Sequence, residues 1–325
     1  MAQKKILVTG GAGFIGGNFV QYMVNKYPNY DIYNLDLLTY AGDLSKHQAI
    51  EGKENYYFLK ADITDRKTIF SLFENMKFDY AVHFAAESHV DRSIRNPGIF
   101  VQTNVVGTQV LLDAAKQNGI KKFIHISTDE VYGELDFNST TFFTEATPIK
   151  PNSPYSASKA SSDLLVRAYH ETFKLPINII RCSNNYGPFQ YPEKLIPLSI
   201  LRLLNNQKVQ IYGDGKNIRD WLYVSDHCSA IDLVLHKGVN GEVYNVGGRC
   251  ERTNLEVVKT IIHTLGKSEK FIEFVPDRLG HDKRYAIDPA KVEELGWKPA
   301  TTFESGISKT ISWYLENSWW WQAKT

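Results

Sequence analysis

Along the first 180 residues, short and nearly continuous apolar runs alternate with longer segments of helical periodicity. Lys5–Val8, Ile32–Leu35, Tyr56–Leu59, Tyr80–Phe84, Phe123–Ile126 and Ile177–Ile180 predict strands covered on both faces, since a strand with one solvated face would alternate. Between them, Gly16–Lys26, Asp65–Asn75, Asn104–Asn118 and Ala157–Phe173 predict helices. The third carries Val105, Leu111, Leu112 and Ala115 at helical spacing and meets Gly119 as a C-terminal stop. Strand–helix alternation requires right-handed crossovers between parallel strands, so the expected fold is a doubly wound, Rossmann-type α/β sheet.

Past Cys182 the rhythm loosens. Tyr186-Gly187-Pro188, Tyr191-Pro192 and Gly213-Asp214-Gly215 punctuate the chain as turns. Helical patterns cover Pro197–Asn206, Val224–His236 and Leu255–Leu265, and Val243–Val246 suits one more strand of the sheet. The division expected is a cofactor-binding part over residues 1–182 with a return at 223–248, and a smaller interleaved lobe from 183–222 and 249–325. The Trp319-Trp320-Trp321 tail fits packing on the body or on a partner chain.

Composition narrows the function classes. The 325 residues carry a net charge of +1, and no Lys/Arg block offers the clustered positive charge that a nucleic acid needs. The longest apolar-rich stretches, such as Ile196–Leu204, fall far below the ~20 residues that cross a bilayer, and the N-terminus lacks the pattern of a signal peptide. Cys182, Cys228 and Cys250 are odd in number and widely spaced, which suggests buried thiols and neither a disulfide framework nor a metal site. A cytoplasmic location is the expectation, and any anion site must be built from a few placed residues.

Gly10-Gly11-Ala12-Gly13-Phe14-Ile15-Gly16 follows the first strand and opens the first helix. Glycines 10, 13 and 16 permit a tight turn, close approach to a pyrophosphate and close helix–strand contact, and the helix N-terminus offers free N–H groups. Asp36 ends the second strand, 20 residues beyond Gly16, where a carboxylate binds ribose hydroxyls and repels a 2′-phosphate. NAD is therefore favoured over NADP. Asp62-Ile63 either reaches the adenine or caps the next helix.

Tyr155 and Lys159 stand at i and i+4 after a proline-rich loop, on one face of a helix. A neighbouring ammonium and a nicotinamide cation favour phenolate, and a three-unit shift would need about 4 kcal/mol. Thr128 closes the fifth strand, and Asp129-Glu130 place two carboxyls at the sheet edge where ligands of open α/β sheets sit. Two such groups supply one proton donor and one base if their environments separate their pKa values. Arg219 and Arg278 suit bidentate phosphate contacts. His83 and His125 lie within strands and read as core.

With these motifs the chain resembles the extended short-chain dehydrogenase/reductase family, from Lys5 through the Arg278 region. The resemblance implies Tyr155 as base, Lys159 as its stabiliser and Thr128 as hydroxyl positioner. Asp129-Glu130, Ala85-Ala86-Glu87-Ser88-His89-Val90-Asp91-Arg92-Ser93 and Arg219-Asp220-Trp221-Leu222-Tyr223-Val224 look like the nucleotide-sugar 4,6-dehydratase branch of that family. That likeness implies a tightly bound, recycled NAD and a nucleotide-sugar substrate, dTDP-glucose by preference. It implies that Glu130 removes the C5 proton and that Asp129 protonates the departing C6 hydroxyl. Ser88, Asn184, Lys194, Leu195, Tyr212, Asn254 and His281 would complete the substrate pocket. A homodimer would form through the Asn104–Asn118 and Ala157–Phe173 helices. A sugar epimerase or decarboxylase on the same scaffold is the alternative, and the acidic pair speaks against it. A non-catalytic NAD-binding scaffold is the remote third reading.

Overall fold

The apolar runs form strands because each is covered on both faces, and the computed structural model, which describes residues 3–277 and 280–324, places them in one sheet. Strands β1 (Lys4–Thr9), β2 (Tyr30–Asp36), β3 (Tyr56–Lys60), β4 (Tyr80–His83), β5 (Lys122–Thr128) and β6 (Ile177–Cys182) are joined at the edge by β10 (Val243–Val246). Between β6 and β10 in the chain come β7 (Asn184–Tyr186), β8 (Val209–Tyr212) and β9 (Ile218–Tyr223). The sheet order is β10-β6-β5-β4-β1-β2-β3, with every pairing parallel. Chain direction across the sheet reverses between β1 and β4, so their carboxyl ends splay and open a crevice there.

Local signals fix the helices that flank this crevice. The Phe14–Lys26 helix starts two residues before the predicted Gly16, with Gly13 at its N-cap and no side-chain cap over its first N–H groups. The Pro154–Phe173 helix starts three residues earlier than predicted. Ser153 and Ser156 cap each other reciprocally, and Pro154 supplies a preset φ in the first turn. Tyr155 and Lys159 thus lie in the first two turns of a rigid element. The predicted Asn104–Asn118 helix needs a correction: Val101–Gly107 is a π-helical segment, and α-helical geometry begins at Thr108. At its end, Gly107 lies so close to Ile63 that a Cβ would meet its Cδ1 at 2.5 Å.

Outside the main sheet, β9 pairs with β7 in parallel and with β11 (Glu251–Thr253) in antiparallel, while β8 pairs with β12 (Ile272–Val275). The sequence pattern predicts none of these short strands. They stand around a separate apolar cluster that includes Tyr186, Ile196, Trp221, Ile261, Tyr314 and Trp320. The tryptophan tail therefore packs on the body: Trp320 is 1% exposed, and its indole N–H donates to Asp43 Oδ2 at 2.7 Å. Cys182 and Cys228 are buried as expected, but Cys250 is only half-buried, beside β11. Arg278 lies outside the described residues.

Trp320 fills the space between Phe189, Trp313 and Tyr314. Trp320→Ala is expected to cost about 3–5 kcal/mol of stability by leaving a cavity there, measured by urea unfolding. A change below 1 kcal/mol would show that the tail does not hold the body.

Candidate active site

The carboxyl ends of β1, β2, β4 and β5 converge on a cleft of ≈ 490 Å³. Gly10, Gly13, Phe14, Ile15, Gly16, Asp36, Asp62 and Ile63 line it, together with Ser88, Thr128, Asp129, Glu130, Tyr155, Lys159, Asn184 and Lys194. At Gly10 the backbone has φ +71°, and a Cβ would meet Ala85 N at 2.5 Å; at Gly16 a Cβ would meet Gly10 O at 2.3 Å. Both contacts admit only glycine, and they let the helix start sit against the strand. Asp36 accepts N–H bonds from Ala12 at 3.0 Å and Leu38 at 2.8 Å, leaving lone pairs on each oxygen toward the cleft. Asp62 does not cap the following helix; Asp65 does so through Thr68 N, which leaves Asp62 and Ile63 on the cleft wall.

Several polar atoms of this wall have no partner within the protein: Glu87 Oε2, Ser127 Oγ, Asp129 Oδ2 and Asn184 Oδ1. Buried polar atoms are rarely left unbonded, so the cleft is shaped for a polar ligand. The glycine turn, the uncapped helix start, Asp36 and these atoms together fit a dinucleotide with a sugar beside it.

The reacting end is dominated by buried charge. Asp129 is 2% exposed; desolvation first, then the charges of Glu130 and Asp220, push its pKa well above the usual carboxylate range. Its surroundings therefore favour the neutral, protonated form. Thr128 ties the pair together, donating to Asp129 Oδ1 and accepting from Glu130 N, both at 3.3 Å. Tyr155 is pushed well above its usual value by burial and then by Glu130, with a Thr128 hydrogen bond acting in the opposite sense.

Lys159 is buried and donates to Ile126 O at 2.6 Å; desolvation lowers its pKa to about 8 while Asp163 raises it. In the chain alone, burial and Glu130 oppose the expected phenolate, and Lys159 turns its ammonium to a main-chain carbonyl. Beneath Lys159, Asp163 pairs with Arg181 at 2.8 Å and faces His125 at 3.4 Å.

The other described residues expected to contact substrate do not line this cleft. Leu195 starts the Leu195–Leu204 helix and packs against the apolar cluster of the outer strands. Tyr212 meets His281 edge-on at 6.4 Å, and Asn254 N donates to Asn217 O at 3.0 Å. Arg219 donates to Asp282 O at 2.9 Å, stacks on Tyr285 at 4.2 Å, and its charge reaches Asp129.

The sequence reading missed Asn104, which is buried between Glu87 and the Ser158 hydroxyl and ties the β4 loop to the Tyr155 helix. A lone Asn on the apolar face of a helix was its only signal. Tyr40, held under Arg92 at 3.7 Å, carried none.

Known proteins share this arrangement. The family model described as GDP-mannose 4,6 dehydratase matches residues 7–310. A dTDP-glucose 4,6-dehydratase of Xanthomonas campestris is 53% identical over 97% of this chain and 94% of its own length. That of Escherichia coli is 50% identical over 98% and 95%. Among solved structures, the Bacillus anthracis dTDP-glucose 4,6-dehydratase in complex with NAD has a TM-score of 0.93 at 51% identity, covering 99% of this chain and all of that one. The Streptomyces venezuelae dTDP-glucose 4,6-dehydratase with NAD and TYD bound has a TM-score of 0.94 at 46% identity, covering 99% and 100%. A UDP-glucose 4-epimerase of Thermotoga maritima has a TM-score of 0.89 at 31% identity, covering 97% and 99%.

A raised carboxyl pKa has a thermodynamic sign. The folded state keeps the Asp129 proton where the unfolded chain has released it, so its burial costs stability increasingly as pH rises above about 4. Asp129→Asn should therefore melt at a higher temperature than the parent at pH 8, and the gap should close at pH 4. Equal melting temperatures at both values would refute a protonated Asp129.

Proposed function

The chain belongs to the GDP-mannose 4,6-dehydratase family, and we infer that it dehydrates dTDP-glucose to dTDP-4-keto-6-deoxyglucose with NAD as a recycled cofactor. The observation that carries this reading is the neutral, buried Asp129 beside Glu130, on the same cleft wall as Tyr155. Epimerisation at C4 shares the scaffold but has no use for a proton donor paired with a base. Loss of water across C5–C6 needs both.

Residues Gly10, Gly13, Phe14, Ile15, Gly16, Asp36, Asp62 and Ile63 would hold NAD, which would supply a hydride acceptor for sugar C4 and a hydride donor for C6. Tyr155 accepts the C4 hydroxyl proton, with Thr128 aligning that hydroxyl. The ketone so formed acidifies the C5 proton, and Glu130 removes it. Asp129 delivers its proton to the C6 hydroxyl, which leaves as water. Reprotonation at C5 completes the product. Arg219 and Arg278 would neutralise the substrate diphosphate, with Ser88, Asn184, Lys194, Leu195, Tyr212, Asn254 and His281 around the nucleotide.

The part formed by residues 1–182 and 223–248 would hold the cofactor, and residues 183–222 and 249–325 the substrate. A diffusible nucleotide sugar accords with a cytoplasmic location. Exposed Ile99, Val101 and Val106, with Leu164 and Phe173 of the Pro154–Phe173 helix, suit a homodimer contact.

Incubation with dTDP-glucose should yield a product lighter by one water, read by mass spectrometry. Tyr155→Phe should lose the first oxidation. Glu130→Gln should retain it, seen as reduced nicotinamide absorbance, and lose dehydration; full dehydration by that variant would remove Glu130 as the C5 base. For the dimer, Leu164→Asp should turn a two-chain sedimentation mass into a one-chain mass, and a parent that sediments as one chain would refute the contact.

A further inference from the structure

Lys46 is 3% exposed, although it sits in the polar segment Leu44–His47. Its ammonium passes beneath the glycine turn and donates to Ala12 O and Gly13 O, each at 2.8 Å. Ala12 is held on every side: its N–H goes to Asp36, and its carbonyl also accepts Asp43 N at 2.9 Å. A trans peptide sets C=O and the next N–H antiparallel. Fixing the Gly13 carbonyl therefore aims Phe14 N–H the opposite way, and the first N–H groups of a helix have no partner within it. Phe14 lines the cleft. The anchoring extends to the chain's end, since Asp43 is gripped by Trp320 Nε1 at 2.7 Å and Lys324 Nζ at 2.8 Å.

We propose that Lys46 is a positioning residue for the cofactor diphosphate: its ammonium fixes the glycine turn through the Ala12 and Gly13 carbonyls and sets a positive charge behind the phosphate-binding N–H groups. This rests on NAD being the cofactor and not on which sugar is dehydrated. A purely structural tie would be indifferent to the charge. A charged one makes cofactor affinity depend on the protonation of Lys46.

Burial lowers the Lys46 pKa to about 7, against the charges of Asp43 and Asp36, which raise it; Lys324 from the C-terminal tail lowers it further. His47 next to it is held near 4 by burial and then by Lys46 itself, so it stays neutral above pH 6. A bound diphosphate raises the Lys46 pKa. By linkage the complex then holds a proton that the free chain has lost, and affinity falls as pH rises from about 7 toward the raised value.

The test is calorimetric titration of NAD+ into the full chain, freed of nucleotide by dialysis, from pH 6 to 10. The parent should bind progressively more weakly above pH 7, by up to about tenfold for each unit that the diphosphate raises the pKa. Lys46→Met should bind about as weakly at pH 6 as the parent does at pH 9, with that pH dependence gone. Asp43→Asn removes a charge that keeps Lys46 protonated, so its fall should begin at lower pH; this decides the matter if Lys46→Met does not fold. Identical profiles in the parent and the folded variants would overturn the role of Lys46 alone. A parent that binds no NAD+ at any pH would overturn the cofactor reading and this proposal together.

Discussion

Burying charge at the carboxyl end of β5 costs free energy unless each group is paired or neutral, and the active end of the molecule is organised by that cost. Asp163 is paired with Arg181 and His125. Lys159 is satisfied by a main-chain carbonyl and brought to about 8. Asp220 accepts the N–H groups of Gly248 and Cys250. Among the described residues no cation is bonded to Asp129, and its surroundings favour the protonated form. The group left with the least compensation is the one proposed to act as the proton donor.

The main sheet was legible because its strands are buried on both faces and must be apolar runs; Ile177–Cys182 and Lys122–Thr128 are buried along their whole length. The strands missed, Asn184–Tyr186 and Glu251–Thr253, are three residues long and polar, and only their partner β9 makes them strands. The π-helical turn at Val101–Gly107 escaped because hydrophobic periodicity does not separate π from α geometry.

At the site, the groups with a fixed local spacing were readable. The glycine turn and the Tyr155–Lys159 pair follow from chain geometry within one turn or helix face, and all of them line the cleft. Lys46 was not readable, because Leu44–His47 looks like a solvated turn; its burial comes from the Phe14–Lys26 helix, where Gly17 leaves space for the lysine stem. Asn104 and Asp163 share that character. Their partners arrive through tertiary contacts, and a polar residue in a helix does not announce which face is covered.

The protonation of Tyr155 shows how far the chain alone goes. Burial and Glu130 both oppose a phenolate, and Lys159 spends its hydrogen bond on Ile126 O. A carboxylate base close to Tyr155 is needed for the elimination, yet it works against the first proton transfer. Neutral Asp129 limits that conflict, since a second carboxylate there would raise Tyr155 further. On the proposed mechanism, the positive charge that would make Tyr155 a base would come with the oxidised cofactor and be lost on its reduction. Tyr155 would then be most acidic before C4 is oxidised and would hold its proton while Glu130 and Asp129 act. One small cleft can in this way host a base and an acid–base pair without three anions coexisting in it.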